Sequence, residues 1–266
     1  MTRIDPISRW LHARQVTHPP VILMYHAVTA GRGTPSWPWA VSLARFRAQL
    51  DFLQDAGYDT PTVSELLREA PQASPRIAVI TFDDGYVDNL AAWEELNRRG
   101  MKATWYVTTG YLNQAHPWQT DARPRSRLLS PAELRAMAES GMEIGSHTIT
   151  HPRLPELGDE DLRRELMDSK SRLEDLLGRQ VPSFAYPYGK WDERCEAAVK
   201  AAGYASACHT RTGWALRDGN PYRLRRLTVF NKDSTSVLAR KLAWGSHDVA
   251  WQQVARHALS QIAARI

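Results

Sequence analysis

Residues 77–86 read Ile77-Ala78-Val79-Ile80-Thr81-Phe82-Asp83-Asp84-Gly85-Tyr86. The first four are apolar and mostly β-branched, the pattern of a strand buried on both faces, as parallel sheets require. Two adjacent carboxylates follow at the strand's end, and Gly85 comes at once after them. Side chains alternate along a strand, so Asp83 and Asp84 cannot both point into a core. They sit where a strand gives way to a loop, which is where α/β folds gather their chemistry. Asp-Gly is also a common turn dipeptide and Asp a common helix cap, so taken alone the pair reads first as a turn.

Outward from this strand the chain alternates strand and helix. Val21-Ile22-Leu23-Met24-Tyr25 is a buried-strand run ending at His26. Further strands are predicted at Ala103 to Val107, at Met142 to Ser146 running into His147, at Ser183-Phe184-Ala185, at Ala205 to Cys208, and finally at Leu224 to Phe230. The intervening helices carry their own punctuation. Ser42 caps one with Leu43, Phe46, Leu50 and Leu53 on one face, and Gly57 stops it. Ser130-Pro131-Ala132-Glu133 combines a cap, a Pro in the first turn and an acid three residues on. Asp159 opens a long amphipathic helix to Leu177, stopped by Gly178. Residues 27–41, with Gly31, Gly33, Pro35 and Pro38, read as a loop, and residues 108–128 as a long surface loop. The alternation predicts an α/β fold, a parallel sheet with crossover helices. About seven strands fit a closed or nearly closed barrel better than a wide open sheet.

Composition narrows the function classes. The chain has 266 residues, 43% hydrophobic and 24% charged, ordinary for a globular domain. Its net charge of +5 is spread along the chain without blocks, which argues against nucleic acid and leaves a weak attraction to anionic surfaces. Cys195 and Cys208 lack CxxC spacing and read as free thiols. No stretch approaches the ~18 apolar residues of a membrane span, and the first 20 residues hold no apolar run of signal-peptide length. The expectation is a cytoplasmic protein of undetermined oligomeric state.

His147-Thr148-Ile149-Thr150-His151 follows a strand. Two histidines four apart meet on one side of a helical turn and can share a cation. With Asp84 they make two imidazoles and one carboxylate at strand ends, a facial set for Zn²⁺ or another divalent transition metal such as Co²⁺ or Ni²⁺. Asp83 is then a carboxylate beside a ligand, placed to act as a base.

These stretches carry a resemblance. Thr81 to Gly85, His147 to His151 and Ala185-Tyr186-Pro187-Tyr188-Gly189 resemble, in order and spacing, the first three motifs of the polysaccharide deacetylase family. The resemblance implies a distorted (β/α)₇ TIM-like barrel, here a single domain over residues 20–266 behind an N-terminal extension of residues 1–19. It implies metal-dependent removal of acetyl groups from an N-acetylated amino-sugar glycan. By resemblance Asp83 is the general base, Asp84, His147 and His151 are the metal ligands, and Tyr188 supplies a backbone N–H to the oxyanion. Two departures stand out. Ala185 occupies the position where the family commonly has an Arg that orients the base; Arg225 or Arg226 is the candidate substitute. The late Leu-x-His motif that supplies the general acid is missing, with His247 and His257 expected in terminal helices. His26, at the end of the first strand, resembles the Tyr-His segment of the poly-N-acetylglucosamine deacetylase branch, whose barrel is permuted so that the acid comes first. That role requires the first strand to neighbour the last.

His12, His18, His116 and His209 have no partner spacing and read as surface or structural. Trp105, Tyr111 and Trp118 are candidates for a sugar platform or for core packing, as are Trp191 and Trp214. The same site would also suit an O-acetyl carbohydrate esterase, and an inactive glycan-binding barrel is the rival of a different class.

Overall fold

The computed structural model describes residues 4–15, 18–31, 33–68, 76–117 and 126–252. In chain order its elements are α1 (Pro6–Ala13), β1 (Val21–Tyr25), β2 (Ala27–Thr29), β3 (Ala40–Ser42), α2 (Leu43–Asp55), α3 (Val63–Arg68), β4 (Ala78–Phe82), α4 (Leu90–Arg98), β5 (Thr104–Val107), α5 (Pro131–Glu139), β6 (Glu143–Ser146), α6 (Asp159–Leu177), β7 (Ser183–Ala185), α7 (Glu193–Ala201), β8 (Ser206–Cys208), β9 (Leu227–Thr228) and α8 (Thr235–Trp244).

Seven strands form one parallel sheet in the order β8-β7-β6-β5-β4-β1-β9. A parallel bridge between Cys208 and Leu224, three residues ahead of β9, links the two edges, so the sheet curls into the distorted barrel expected from the sequence. The first strand does neighbour the last: Leu23 is level with Leu227 and Met24 with Thr228. On its other side β1 pairs with β4, Tyr25 level with Phe82, which puts His26 and Asp83 at the same height on the rim.

Strand alternation divides the core into two layers. Ile22, Val79, Tyr106, Ala185 and Cys208 fill the barrel interior with Leu224. Leu23, Tyr25, Ile80, Phe82, Trp105 and Phe184 face outward into the helix layer, with Phe46, Leu50 and Leu53 of α2 in the same cluster. Phe82 and Trp105 stack at 4.6 Å between centroids. Trp105 is therefore a core residue, with no exposed surface to offer a sugar.

Helix termini follow the sequence signals. Ser42, Asp192 and Ser234 accept backbone N–H groups as caps, and Ser130 with Glu133 forms a full capping box. Three expectations are corrected. Residues 27–41 include a short parallel pair, β2 with β3, because Val28 and Val41 are buried opposite each other; the Gly and Pro between them hid the pattern. The last strand is only two residues long, because backbone bonds of Arg225 and Arg226 go to Ala215 and Arg211 of the preceding loop instead of a strand. His247 lies in a turn after α8 rather than in a helix; Gly245, in the left-handed conformation, ends that helix two residues earlier. The terminal helix expected to hold His257 falls mostly outside the described residues, where Trp118 also lies.

The N-terminal segment packs on the barrel. The Asp5 N–H donates to Ser236 Oγ at 2.9 Å, the buried Arg240 donates to Ser8 Oγ at 2.6 Å, and His12 meets the Tyr58 hydroxyl at 2.8 Å. His12, His116 and His209 are all buried, so their role is structural rather than at the surface. Both cysteines are free and buried. Among the described residues no helix is long and apolar enough to cross a membrane.

Candidate metal centre and active site

The C-terminal rim of the barrel opens into a cavity of about 390 Å³. His26 follows β1, Asp83 and Asp84 follow β4, His147 and His151 follow β6, and Tyr188 follows β7; all of them line it. Six candidates from four separate stretches of sequence are thus brought to one place.

Four of the five non-glycine residues with positive φ among the described residues belong to these rim loops: Asp84 (71°), Thr148 (71°), His151 (61°) and Tyr188 (58°). Each left-handed residue costs roughly 1–2 kcal/mol, and such strain clusters where a side chain or an N–H must be aimed against local preference. After Asp84, Gly85 continues with φ 86°, and a Cβ there would meet Val107 Cγ1 at 3.0 Å. The dipeptide that reads as a turn is a turn, and the turn is what points Asp84 away from Asp83.

The two histidines do not share a helical face, contrary to the expectation from their spacing. Residues 147–151 are irregular, and two left-handed residues fold them back. Their backbone is pinned by Glu165 of α6, 5% exposed. Its carboxylate accepts N–H groups from Ile149 (2.7 Å) and Thr150 (3.0 Å) and the Thr150 hydroxyl (2.6 Å). Thr148 Oγ1 accepts the His151 N–H at 3.0 Å, and the Gly110 N–H donates to the Ile149 carbonyl at 2.8 Å. Glu165→Ala is expected to weaken divalent-cation binding on the order of 10–100-fold, the usual cost of losing an outer-shell partner. Glu165→Gln, which keeps an acceptor oxygen, should retain most of it; cation titration of both variants checks this.

Asp84 Oδ1 stands 3.6 Å from His147 Nε2 and 3.3 Å from His151 Nε2. All three side chains are buried, and their ligand atoms lie within 4.8 Å of one another. The His147 tautomer is fixed by its other nitrogen: Nδ1 is 2.7 Å from the Ala185 carbonyl, which can only accept. The Nδ1 proton goes there, leaving the Nε2 lone pair turned toward the carboxylate. Burial pushes His147 down to about 4, more than the nearby Asp83 carboxylate raises it, so the ring is neutral. Burial acts to raise Asp84, but the hydrogen bond from His151 and the neighbouring imidazoles hold it well below the usual carboxylate range. Two imidazole nitrogens and a carboxylate oxygen meeting at a buried point are the donor set a divalent cation fits once the proton between His151 and Asp84 is released.

Asp83 points the other way, into the barrel. Its two oxygens accept from Arg226, Nη1 to Oδ1 at 2.6 Å and Nη2 to Oδ2 at 2.7 Å. Arg226 is fully buried. It donates also to the His209 carbonyl and to Thr81 Oγ1, and its guanidinium lies 5.7 Å from the Tyr106 ring centre. Burial alone would raise Asp83; the Arg226 charge, with His147 and His26, outweighs it and keeps the carboxyl ionised. Of the two arginines offered by the sequence, Arg226 reaches Asp83 and Arg225 pairs with Asp218. Ala185 leaves its side of the interior small.

His26 sits between two tryptophans of the β2–β3 connection, with ring centres 5.8 Å from Trp37 and 6.3 Å from Trp39. Trp37, Trp39, Phe230, Thr210, Thr228 and His247 complete the cavity wall. None of these was singled out for the site from sequence, although Trp37-Pro38-Trp39 just after His26 was a legible signal. His247 Nδ1 accepts the Thr228 N–H at 3.1 Å, which ties the turn after α8 to the rim.

Comparison with known proteins shows the family. A family model described as polysaccharide deacetylase matches residues 70–207. The chain is 31% identical over 229 residues to the putative polysaccharide deacetylase YxkH of Bacillus subtilis strain 168, covering 85% of this chain and 76% of that one. Among solved structures, IcaB from Ammonifex degensii aligns with a TM-score of 0.73 at 24% identity over 85% of this chain and 97% of its own. The Streptococcus pyogenes deacetylase PplD, solved in complex with acetate, aligns with a TM-score of 0.70 at 24% identity, covering 84% and 98%. At that identity the two structures speak for the fold, while the family model and the Bacillus relative extend over the rim loops that carry Asp83, Asp84, His147, His151 and Tyr188: this chain belongs to the polysaccharide deacetylase family.

Proposed function

We propose that the protein is a divalent-cation-dependent deacetylase that hydrolyses N-acetyl groups of an amino-sugar glycan, with zinc the first choice of cation. The observation that carries this reading is the meeting of a three-donor set, an Arg-held carboxylate and a histidine in one cavity of about 390 Å³. Asp84, His147 and His151 would hold the cation. When bound, it supplies Lewis acidity toward a carbonyl oxygen and lowers the pKa of water.

The chain's own groups divide the remaining work. Asp83, kept ionised by Arg226, accepts a proton from the attacking water. The Tyr188 N–H donates to the oxyanion that develops on the acetyl oxygen; the left-handed backbone at Tyr188 serves that aim. His26, as imidazolium, donates its proton to the departing nitrogen. An amide nitrogen cannot leave as an anion, so an acid is chemically required, and this favours N- over O-deacetylation.

The test is release of acetate and of free amine from an N-acetylglucosamine oligomer by cation-loaded enzyme. Acetate without new amine points to the esterase alternative, and neither product to an inactive glycan-binding barrel. His147→Ala and His151→Ala are each expected to lose most bound cation by elemental analysis; full retention in both would remove the ligand assignment.

A further inference from the structure

We infer that the wall formed by Trp39 and Phe230 is the subsite for the sugar ring bearing the departing nitrogen. The inference rests on the deacetylase reading and adds to it where the sugar lies.

The cavity has two unlike sides. One carries Asp84, His147, His151 and Thr210, with the Tyr188 ring 4.5 Å from His151; the other carries Trp37, Trp39 and Phe230 around His26. The acetyl carbonyl belongs on the first side, with the donor set. The nitrogen must reach His26, so whatever is attached to that nitrogen lies along the aromatic side.

Trp37 and Trp39 divide the work there. Trp37 is 5% exposed and packs edge-on against Tyr86, 5.8 Å between centroids. It anchors the loop. Trp39 is 37% exposed, one of few large apolar side chains left open, and lies 6.2 Å from Phe230 and 5.8 Å from Trp37. The buried Lys241 ammonium covers Phe230 at 4.8 Å and is itself held by the Thr228 carbonyl and Asp233.

The wall is also built in advance. Asn231, next to Phe230, donates its side-chain amide to the Pro35 carbonyl and its N–H to the Pro38 carbonyl, both at 2.7 Å. Arg45 of α2 donates to the Asn231 carbonyl. Trp39 comes from the β2–β3 connection and Phe230 follows β9, and these bonds lock the two together. The Trp39 and Phe230 rings are inclined by 58°, and the partly open Trp39 face beside a proton donor suits a pyranose, whose C–H face is apolar and whose rim is polar. A flexible acyclic acetamide, such as an acetylated lysine side chain, presents no such face and would leave the wall uncovered.

Two measurements test this. With cation-loaded enzyme, Trp39→Ala is expected to raise KM for β-1,4- and β-1,6-linked N-acetylglucosamine pentamers by about tenfold or more. The ratio of kcat/KM for pentamer over 4-nitrophenyl acetate should fall by a similar factor, and Trp39→Phe should recover most of the loss. Separately, calorimetry of the better pentamer on Asp83→Asn protein reads binding without turnover. Affinity should fall about tenfold or more when Trp39→Ala is added. Unchanged affinity and an unchanged ratio overturn the subsite. If the wild type releases no acetate from either pentamer and the Trp39-dependent affinity persists, the deacetylase reading fails and the sugar-binding wall stands.

Discussion

Asp83→Asn is expected to keep the fold and the bound cation while losing on the order of 10²–10⁴-fold in acetate release, the usual worth of a positioned base. Among the described residues the carboxylate hydrogen-bonds to Arg226 alone; Asn leaves that buried guanidinium one acceptor oxygen and no counter-charge, so Asp83→Asn should fold but melt lower than wild type. Arg226 gives the sharper contrast. Removing one member of a buried ion pair leaves the other charge uncompensated, at a cost of roughly 3–5 kcal/mol. Arg226→Met should therefore lower the melting temperature as well as turnover. The double variant Asp83→Asn/Arg226→Met should melt closer to wild type than Arg226→Met alone, because it leaves no stranded charge. A double variant at least as unstable as the single would mean that the Asp83–Arg226 contact is incidental to stability. Ala185 supplies a further check. Both 185 and 226 face the barrel interior, and the family commonly places its base-orienting Arg at the position of Ala185. Ala185→Arg introduced into Arg226→Met is expected to recover at least part of the lost activity, measured as kcat of cation-loaded enzyme.

The parts of this arrangement legible in the sequence were those with a local signature. Apolar, β-branched runs marked β1 and β4, and Gly stops marked the ends of α2 and α6. Because the runs end in His26, Asp83-Asp84 and His147, strand assignment alone carried these residues to the rim. What sequence could not resolve depends on contacts between distant segments. The choice of Arg226 over Arg225 is a matter of which neighbour faces the barrel interior, and a two-residue strand leaves almost no alternation to read. The convergence of His147 and His151 was expected for a helical reason; it arises from left-handed backbone at Thr148 and His151 and from Glu165, more than a dozen residues away. Trp105, Tyr111 and Trp118 read from sequence as candidates for a sugar platform. Trp105 is core, Tyr111 packs against the cluster of Tyr86 and Leu128, and Trp118 lies outside the described residues. Trp37 and Trp39 come to the site through Asn231, which belongs to the far end of the chain.

His26→Ala is expected to leave cation binding nearly intact and to cut kcat on an N-acetylated glycan by roughly 10²–10⁴-fold, the range for a positioned proton donor. The geometry behind this is topological. Because β1 is inserted between β4 and β9, the residue after β1 stands level with the residue after β4, and both open into the same cavity. A barrel whose acid came from its last strand would place the histidine beyond β9; here the turn after β9 holds Phe230 and Asn231 instead, and His247 in the later turn is engaged with the Thr228 N–H. The dependence on leaving group separates a proton donor from a packing residue. For 4-nitrophenyl acetate, whose phenolate departs unprotonated, the loss in His26→Ala should shrink to a small fraction of that seen with the amide. A structural role, exerted through Trp37 and Trp39 packed around the ring, would depress both substrates alike. Equal losses on amide and activated ester, in protein that still carries its cation and melts like wild type, would take His26 out of the proton transfer.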